Sequence, residues 1–343
     1  MKIPDWVKRA QIYDTVRTAL LRRSREKRIR RGYEENLARW GRQYASLERE
    51  AQERALNGPG EESLRAFRAK EAYLLDWLRE DLGEILRQYQ KEAVPQAGDE
   101  SRIPGIVWIY WWDGLETAPR IVQSCVNSTR LRAEGFEVRL VDRTNLEQYL
   151  QVPPFLLEKQ RTGDIGKAHF SDVVRMMLLA RYGGMWMDAT LYCGRPIPEE
   201  ILRGPFYTCK KEWNANTPSH GRWSGWMLGG VPGFRYFRFM ADALTAYWEK
   251  HTSAIDYLLM DYLFTLAYES FPELREAVDR LPPQNPMRDE LMNRINEPYD
   301  PTFFDSDTFV YKLSYRYGNP TEYTRDGKRT FYCHILHENE SKP

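Results

Sequence analysis

Three polar residues recur three apart in the segment from Ile165 to Tyr182: His169, Asp172 and Arg175. On a helix that spacing gathers them on one face, while Phe170, Val173, Val174, Met177 and Leu178 form the apolar stripe on another. An Asp and an Arg at this spacing share one polar patch, and they can be a helix salt bridge as readily as part of a site. Gly183-Gly184 then ends the helix, and Met185-Trp186-Met187 reads as a short strand that delivers Asp188 at its carboxyl end, followed by Ala189 and Thr190. Open α/β sheets bind ligands outside the carboxyl ends of their strands, so Asp188 is a site candidate on placement alone.

The elements needed to position these groups can be read from the chain before them. Gly105 to Trp112 (GIVWIYWW) is a β-branched and aromatic run bounded by Pro104 and Asp113-Gly114, which reads as a buried strand. Ala118 to Arg130 reads as a helix, Glu137 to Val141 as a second strand and Thr144 to Leu150 as a short helix. Strand, helix, strand is the opening of a nucleotide-binding α/β sheet. Upstream the texture differs: Trp6 to Trp40 and Glu61 to Ala93 alternate charged and apolar residues at helical spacing, with Asn57-Gly58-Pro59-Gly60 as the strong breaker between them. This predicts an antiparallel helical hairpin, with a Pro, Gly and Ser linker from Val94 to Pro104. The expected organisation is a helical region over residues 1–98 and an α/β domain over 99–343.

Composition narrows the classes of partner. Fifty Lys and Arg stand against 49 Asp and Glu, a net charge of +1, so no global field gathers nucleic acid. The charge is uneven, because Met1 to Trp40 carries twelve Lys and Arg against five Asp and Glu. That suits either a solvated helix face or peripheral attachment to an anionic membrane surface. No apolar run approaches the roughly 20 residues of a membrane-spanning helix, and Met1 to Ala10 holds no apolar core of a secretory signal. Cys125, Cys193, Cys209 and Cys333 lie far apart, without zinc-ribbon or disulfide-framework spacing. A cytoplasmic protein, peripheral on the inner face of the membrane if the basic arm binds lipid, is the expectation.

The ordered blocks Ser171-Asp172-Val173-Val174-Arg175, Leu179 and Tyr182-Gly183-Gly184-Met185-Trp186-Met187-Asp188 resemble glycosyltransferases with a DXD sugar-binding region. Ile103 to Trp112, Ala118-Pro119, Ala168-His169-Phe170-Ser171-Asp172 and Asp188-Ala189-Thr190 are similar to the capsular polysaccharide synthesis subgroup, related to glycosyltransferase family 32. The resemblance runs from about Arg102 to the C-terminus, strongly to Pro198. It implies a GT-A fold, a Rossmann-like sheet that binds a nucleotide-diphosphate sugar, UDP-sugar foremost, usually with Mn²⁺ or Mg²⁺. It further implies transfer of a hexose to a capsular or cell-surface glycan with retention at the anomeric carbon. A protein acceptor, or a non-catalytic scaffold on a degenerate transferase fold, are the alternatives.

By the same resemblance Asp188 would hold the metal, Asp172 and Arg175 would bond the donor sugar's hydroxyls, and Trp108 would stack on the base, with Ile109 and Tyr110 beside it. The glucosylating toxins share the Trp-Ile pair. Ala189 and Thr190 would line the same pocket. Thr190 is the departure, since a hydroxyl stands where the name-giving motif has its second acid, and a hydroxyl is the weaker ligand. His334 and His337 in Cys333-His334-Ile335-Leu336-His337 are candidates to complete a metal site, and a strand there would point them to opposite faces. Lys312 and Arg316 are candidates to meet the diphosphate. Trp213 to Asn216 and His220 to Trp226 suit an acceptor cleft or a surface loop. Asp256 and Asp261, read on one helix from Ile255 to Phe264, cannot share a face, and spacing does not choose between them.

Overall fold

The computed structural model describes residues 5–93, 101–316 and 319–338, with side chains from Ser24 onward. The expected linker therefore lies largely outside the described residues, at 94–100. Three helices come first: α1 (Asp5–Leu56), α2 (Glu61–Asp81) and α3 (Gly83–Lys91). The first is longer than expected. Gly41, next to Trp40, leaves helical geometry at φ 82° and ψ 172°, but the helix resumes beyond it. Trp40 meets Trp77, Tyr44 meets Tyr73 and Glu48 meets Lys70, so the contacts run in opposite directions along α1 and α2. Ala66, Lys70, Glu71, Leu74, Leu75 and Leu78 form the buried stripe of α2 at helical spacing.

Seven short strands follow: β1 (Ile106–Tyr110), β2 (Glu137–Val141), β3 (Gly184–Met187), β4 (Leu191–Cys193), β5 (Phe206–Thr208), β6 (Met227–Gly230) and β7 (Val310–Lys312). Between and after them lie α4 (Arg120–Arg132), α5 (Leu146–Tyr149), α6 (Pro154–Thr162), α7 (Lys167–Tyr182), α8 (Arg235–Lys250), α9 (Leu259–Ser270), α10 (Pro272–Arg280), α11 (Glu290–Asn293) and α12 (Phe331–His337). The main sheet has the order β2-β1-β3-β6-β5. β1 runs parallel to both β2 and β3, while β6 is antiparallel to β3 and to β5. β4 and β7 form a separate antiparallel pair. The chain leaves β1 for β2 on one side and returns to β3 on the other, so the switch in strand order falls between β1 and β3, where α/β sheets open a crevice for ligands.

Alternation along the strands separates two apolar layers. Trp108, Tyr110 and Trp186 face a core built with α7, α8 and α9, to which α2 and α3 add Leu74, Leu78, Leu82 and Tyr89. Val107, Ile109, Met185 and Met187 face the other layer, shared with residues of α4, β4, β7 and α12. The glycine pair after Tyr182 is required by this packing. Gly183 and Gly184 have φ of +65° and +89°, and a Cβ on Gly184 would stand 2.7 Å from the Ile106 carbonyl oxygen.

One element differs in kind from its expectation. Phe331 to His337 is a helix and not a strand, because Thr330 accepts the Cys333 N–H and caps its first turn. His334 and His337 are then three apart on a helix and lie on neighbouring faces, not opposite ones.

Candidate functional site

At the carboxyl ends of β1 and β3 lies a cleft of about 880 Å³. Its floor is charged. Arg175 and Asp172 come from α7, Asp188 from the end of β3, Thr190 from the turn into β4, and Lys312 from the end of β7. The turn is closed by the Leu191 N–H donating to the Asp188 carbonyl at 2.9 Å, and it is joined to the segment after β7 by the Leu313 N–H donating to the Thr190 carbonyl at 3.0 Å. Backbone pairing therefore fixes Asp188, Thr190 and Lys312 relative to one another.

Asp188 accepts three hydrogen bonds. Its Oδ1 accepts from Trp186 Nε1 at 2.9 Å and Arg175 Nη2 at 3.2 Å, and its Oδ2 accepts from Lys312 Nζ at 2.6 Å. Lys312 Nζ also donates to Thr190 Oγ1 at 2.9 Å. Burial alone would raise the Asp188 pKa, but Lys312 and Arg175 hold the carboxyl below its usual range. Arg175 is 5% exposed, stacks over the Trp186 ring at 4.8 Å and lies 3.2 Å from Asp172 Oδ1. Burial pushes Asp172 up to about 6 against the pull of Arg175, with the negative charge of Asp188 adding to the rise.

The two aspartates that spacing left open lie in different surroundings. α9 begins only at Leu259, so Asp256 precedes the helix. It turns to the N-terminal helices, accepting from Lys70 Nζ at 2.9 Å. Asp261 lines the cleft, accepts from Trp223 Nε1 at 2.9 Å and is pushed up to about 6, first by burial.

The walls are aromatic, with Tyr110, Trp111, Trp112, Trp226, Tyr257 and Tyr315 among them. Trp108 is not. It has no exposed surface, donates Nε1 to the Gly183 carbonyl at 2.9 Å and packs against Tyr149 and Tyr182. Its ring cannot stack on a base, because position 108 points into the helical layer from the middle of β1. Ile109 is buried in the opposite layer. Tyr110 reaches the cleft, and its buried hydroxyl has no hydrogen-bond partner. Ala189 and Thr190 line the cleft. His169 does so as well, with Nε2 3.2 Å from the Tyr257 carbonyl oxygen.

The C-terminal histidines do not join Asp188. His334 stacks on Tyr299 at 4.0 Å, and His337 Nε2 is 2.8 Å from Glu322 Oε2. Neither lines the cleft. Glu322, Cys333 and His337 instead make a cluster of their own, their ligand atoms within 4.8 Å of one another. The aromatic stretch from Trp213 divides: Gly225 and Trp226 reach the cleft, while Trp213 stacks on His220 and lines a second pocket with Lys211 and Arg288. Arg316 lines the cleft beside Lys312.

The Mn²⁺ or Mg²⁺ implied by the resemblance can be tested against these donors. A hard divalent ion takes about six or more oxygens, drawn from one or more carboxylates, waters and, for Mg²⁺, the phosphates of the substrate. At the strand end there is one carboxylate, Asp188, with both oxygens already bonded, and one hydroxyl, Thr190; a lysine ammonium bridges the two. With the ammonium between them, Asp188 Oδ2 and Thr190 Oγ1 leave no room for a divalent ion at the same point.

Comparison with known proteins agrees with the transferase resemblance. A 133-residue segment, 36% of this chain, is 29% identical to 32% of the length of O-glycosyltransferase PaGT from Phomopsis amygdali. A 102-residue segment, 27% of the chain, is 30% identical to 24% of the length of O-glycosyltransferase braB from Annulohypoxylon truncatum. The matched segments thus span about a third and a quarter of these relatives. Among solved structures the PaToxG Glycosyltransferase aligns with 61% of this chain and 83% of its own at 12% identity and a TM-score of 0.35. A family model described as "Capsular polysaccharide synthesis protein" matches residues 59–335, well over half of the chain. By that match the chain belongs to the capsular polysaccharide synthesis protein family.

Proposed function

We propose that this protein is a GT-A glycosyltransferase that moves a hexose from a nucleotide-diphosphate sugar, a UDP-sugar first among them, to a hydroxyl of a capsular or cell-surface polysaccharide. The observation that carries the reading is the run of alternating charges Asp172, Arg175, Asp188 and Lys312 on the floor of an aromatic-walled cleft at the β1/β3 switch point. Carboxylates suit sugar hydroxyls, flat rings suit a base or a pyranose face, and a cation suits a diphosphate.

Roles follow from exposure. Asp172 and Asp188, with side chains 16% and 25% exposed, accept hydroxyls of the donor sugar. Arg175, at 7%, positions both carboxylates from behind. Trp111, half-buried at the cleft and edge-on to Tyr315, offers the ring that stacks on the base. The bond from the anomeric carbon to the diphosphate breaks with its electron pair on phosphate oxygen. The acceptor oxygen bonds that carbon from the same face, and its proton passes to the departing oxygen. That route retains the anomeric configuration and needs no separate protein nucleophile.

The basic arm supports attachment to an anionic lipid surface: Arg25, Lys27, Arg28, Arg30 and Arg31 are all exposed on α1. No helix among the described residues is long and apolar enough to cross a membrane. The four cysteines are buried and unpaired, which supports a reducing compartment such as the cytoplasm.

The test is a panel of nucleotide sugars offered to the full chain without acceptor, followed by release of free nucleoside diphosphate. One UDP-sugar is expected to be hydrolysed slowly as water replaces the acceptor hydroxyl. No turnover together with no binding of any donor would favour the scaffold alternative.

A further inference from the structure

We infer that Lys312 is the resident cation of this site: its ammonium holds the donor's diphosphate where the family resemblance places a divalent metal ion, so that donor binding needs no such ion. The inference rests on the nucleotide-sugar reading of the cleft and deepens it.

Three observations carry it. The first is position. Lys312 Nζ lies 2.6 Å from Asp188 Oδ2 and 2.9 Å from Thr190 Oγ1, the two side chains of the motif that would otherwise share an ion. An ammonium and a divalent cation cannot both stand between the same two oxygens.

The second is the commitment of the neighbouring acids. Asp172 is paired with Arg175, Asp261 accepts from Trp223, and Asp289 is paired with Lys211. Each thus answers to a partner of its own, and among the described residues Asp188 is the carboxylate that pairs with Lys312. Thr190 now has a reason as well: with a lysine as the cation, a second aspartate is not needed, and a hydroxyl suffices to accept one of its N–H bonds.

The third is open valence. An ammonium has three N–H donors, and this one uses two on Asp188 and Thr190. The Lys312 side chain is 28% exposed and lines the cleft, so its remaining donor is available to a phosphate oxygen. Its backbone is held on both sides, by pairing with Leu191 across the two-stranded sheet and by its own N–H donating to the Arg288 carbonyl at 2.7 Å. The cation is thereby fixed before ligand arrives, which is the condition for stabilising charge that develops on a leaving group. As the carbon–oxygen bond to the diphosphate breaks, the electron pair goes to phosphate oxygen, and Lys312 donates a hydrogen bond to it without giving up its proton.

The experiment is calorimetric titration of the full chain with UDP, GDP, dTDP and uridine, in EDTA and again in excess Mn²⁺, for the native protein and for Lys312→Met and Lys312→Arg. Native protein is expected to bind its nucleoside diphosphate equally well in both buffers. Lys312→Met should weaken that binding about tenfold or more in EDTA, as loss of a charge-assisted hydrogen bond implies, while uridine, which lacks phosphate, binds as before. Lys312→Arg, which keeps the charge, should fall between. The inference is overturned if the native protein binds the diphosphate only with Mn²⁺, or if Lys312→Met leaves its affinity in EDTA unchanged. Failure of every nucleoside diphosphate to bind in either buffer overturns the nucleotide-sugar reading itself, a result distinct from a metal requirement.

Discussion

Two lysines in this protein each sit between two oxygen-bearing side chains, and they do different work. Lys70 lies 2.9 Å from Glu48 and 2.9 Å from Asp256, with the Tyr262 ring 6.0 Å away, and none of the three charged side chains is more than 15% exposed. The cluster is buried on all three side chains. Lys312 lies between Asp188 and Thr190 with its side chain 28% exposed and one side open to the cleft. The first cluster joins α1 and α2 to the segment before α9, and the second faces a space large enough for a nucleotide sugar. Residue types and pair distances are nearly the same in both. What sets the two clusters apart is burial: the first is closed off from solvent, and the second opens onto a cleft.

That contrast can be broken most decisively at the closed cluster. Lys70→Ala leaves Asp256 and Glu48 buried without their cation, and removal of one partner of a buried pair costs about 3–5 kcal/mol. Urea unfolding should show that loss, whereas Lys312→Met should lower the midpoint far less because water reaches its partners. Equal losses at the two lysines would contradict the distinction.

The tryptophans of β1 and its end sharpen it at smaller scale. Trp111→Ala should weaken UDP about tenfold and cost less stability than loss of Trp108, since its ring lines the cleft and is only partly buried against the core. Trp108→Ala should do the reverse, destabilising the fold by about 3–5 kcal/mol as a fully buried aromatic is lost. Loss of UDP affinity in a stable Trp108→Ala protein would return the base-stacking role to the strand interior.

The smallest expected effect is one of pH. Asp261, ordinarily near 3.8, is held up to about 6 first by burial and further by Asp172. Its contribution to stability is therefore full below pH 4 and is lost as pH rises through about 6. Asp261→Asn keeps an oxygen to accept from Trp223 and cannot ionise, so at pH 7.5 it should melt about 2 °C above the native protein, a shift that corresponds to on the order of 1 kcal/mol. At pH 4 that advantage should vanish. An unchanged gap between the two proteins across this range would show that the carboxyl is not held up.

Much of the positioning frame was legible because its signals are local. Glu137 to Val141 is a strand with the expected bounds. The glycine pair after Tyr182 marks the entry to β3, and Asp188 stands at the end of that strand as expected. What escaped depends on residues far apart in the chain. Lys70 and Asp256 are 186 residues apart, and Lys312 and Asp188 are 124 apart, so no window of the sequence shows either pair. Trp108 was misplaced for a different reason: a strand rich in aromatics does not reveal which ring is the last one inside. The C-terminal run misled because Cys333 to His337 alternates acceptably as a strand, and the Thr330 cap that settles it as a helix lies just before the alternation begins.

The central claim is that Asp188, at the switch point of the sheet, organises a sugar-transfer site that is separate from what holds the fold together. Release of nucleoside diphosphate from the preferred donor, measured for native protein and Asp188→Ala with thermal unfolding followed on the same samples, tests it most directly. Loss of the carboxylate removes the acceptor of bonds from Trp186, Arg175 and Lys312 together. Turnover is therefore expected to fall at least about a hundredfold, as two charged hydrogen bonds imply, while cooperative unfolding is retained. Turnover within a few-fold of native in a folded Asp188→Ala protein would contradict the account.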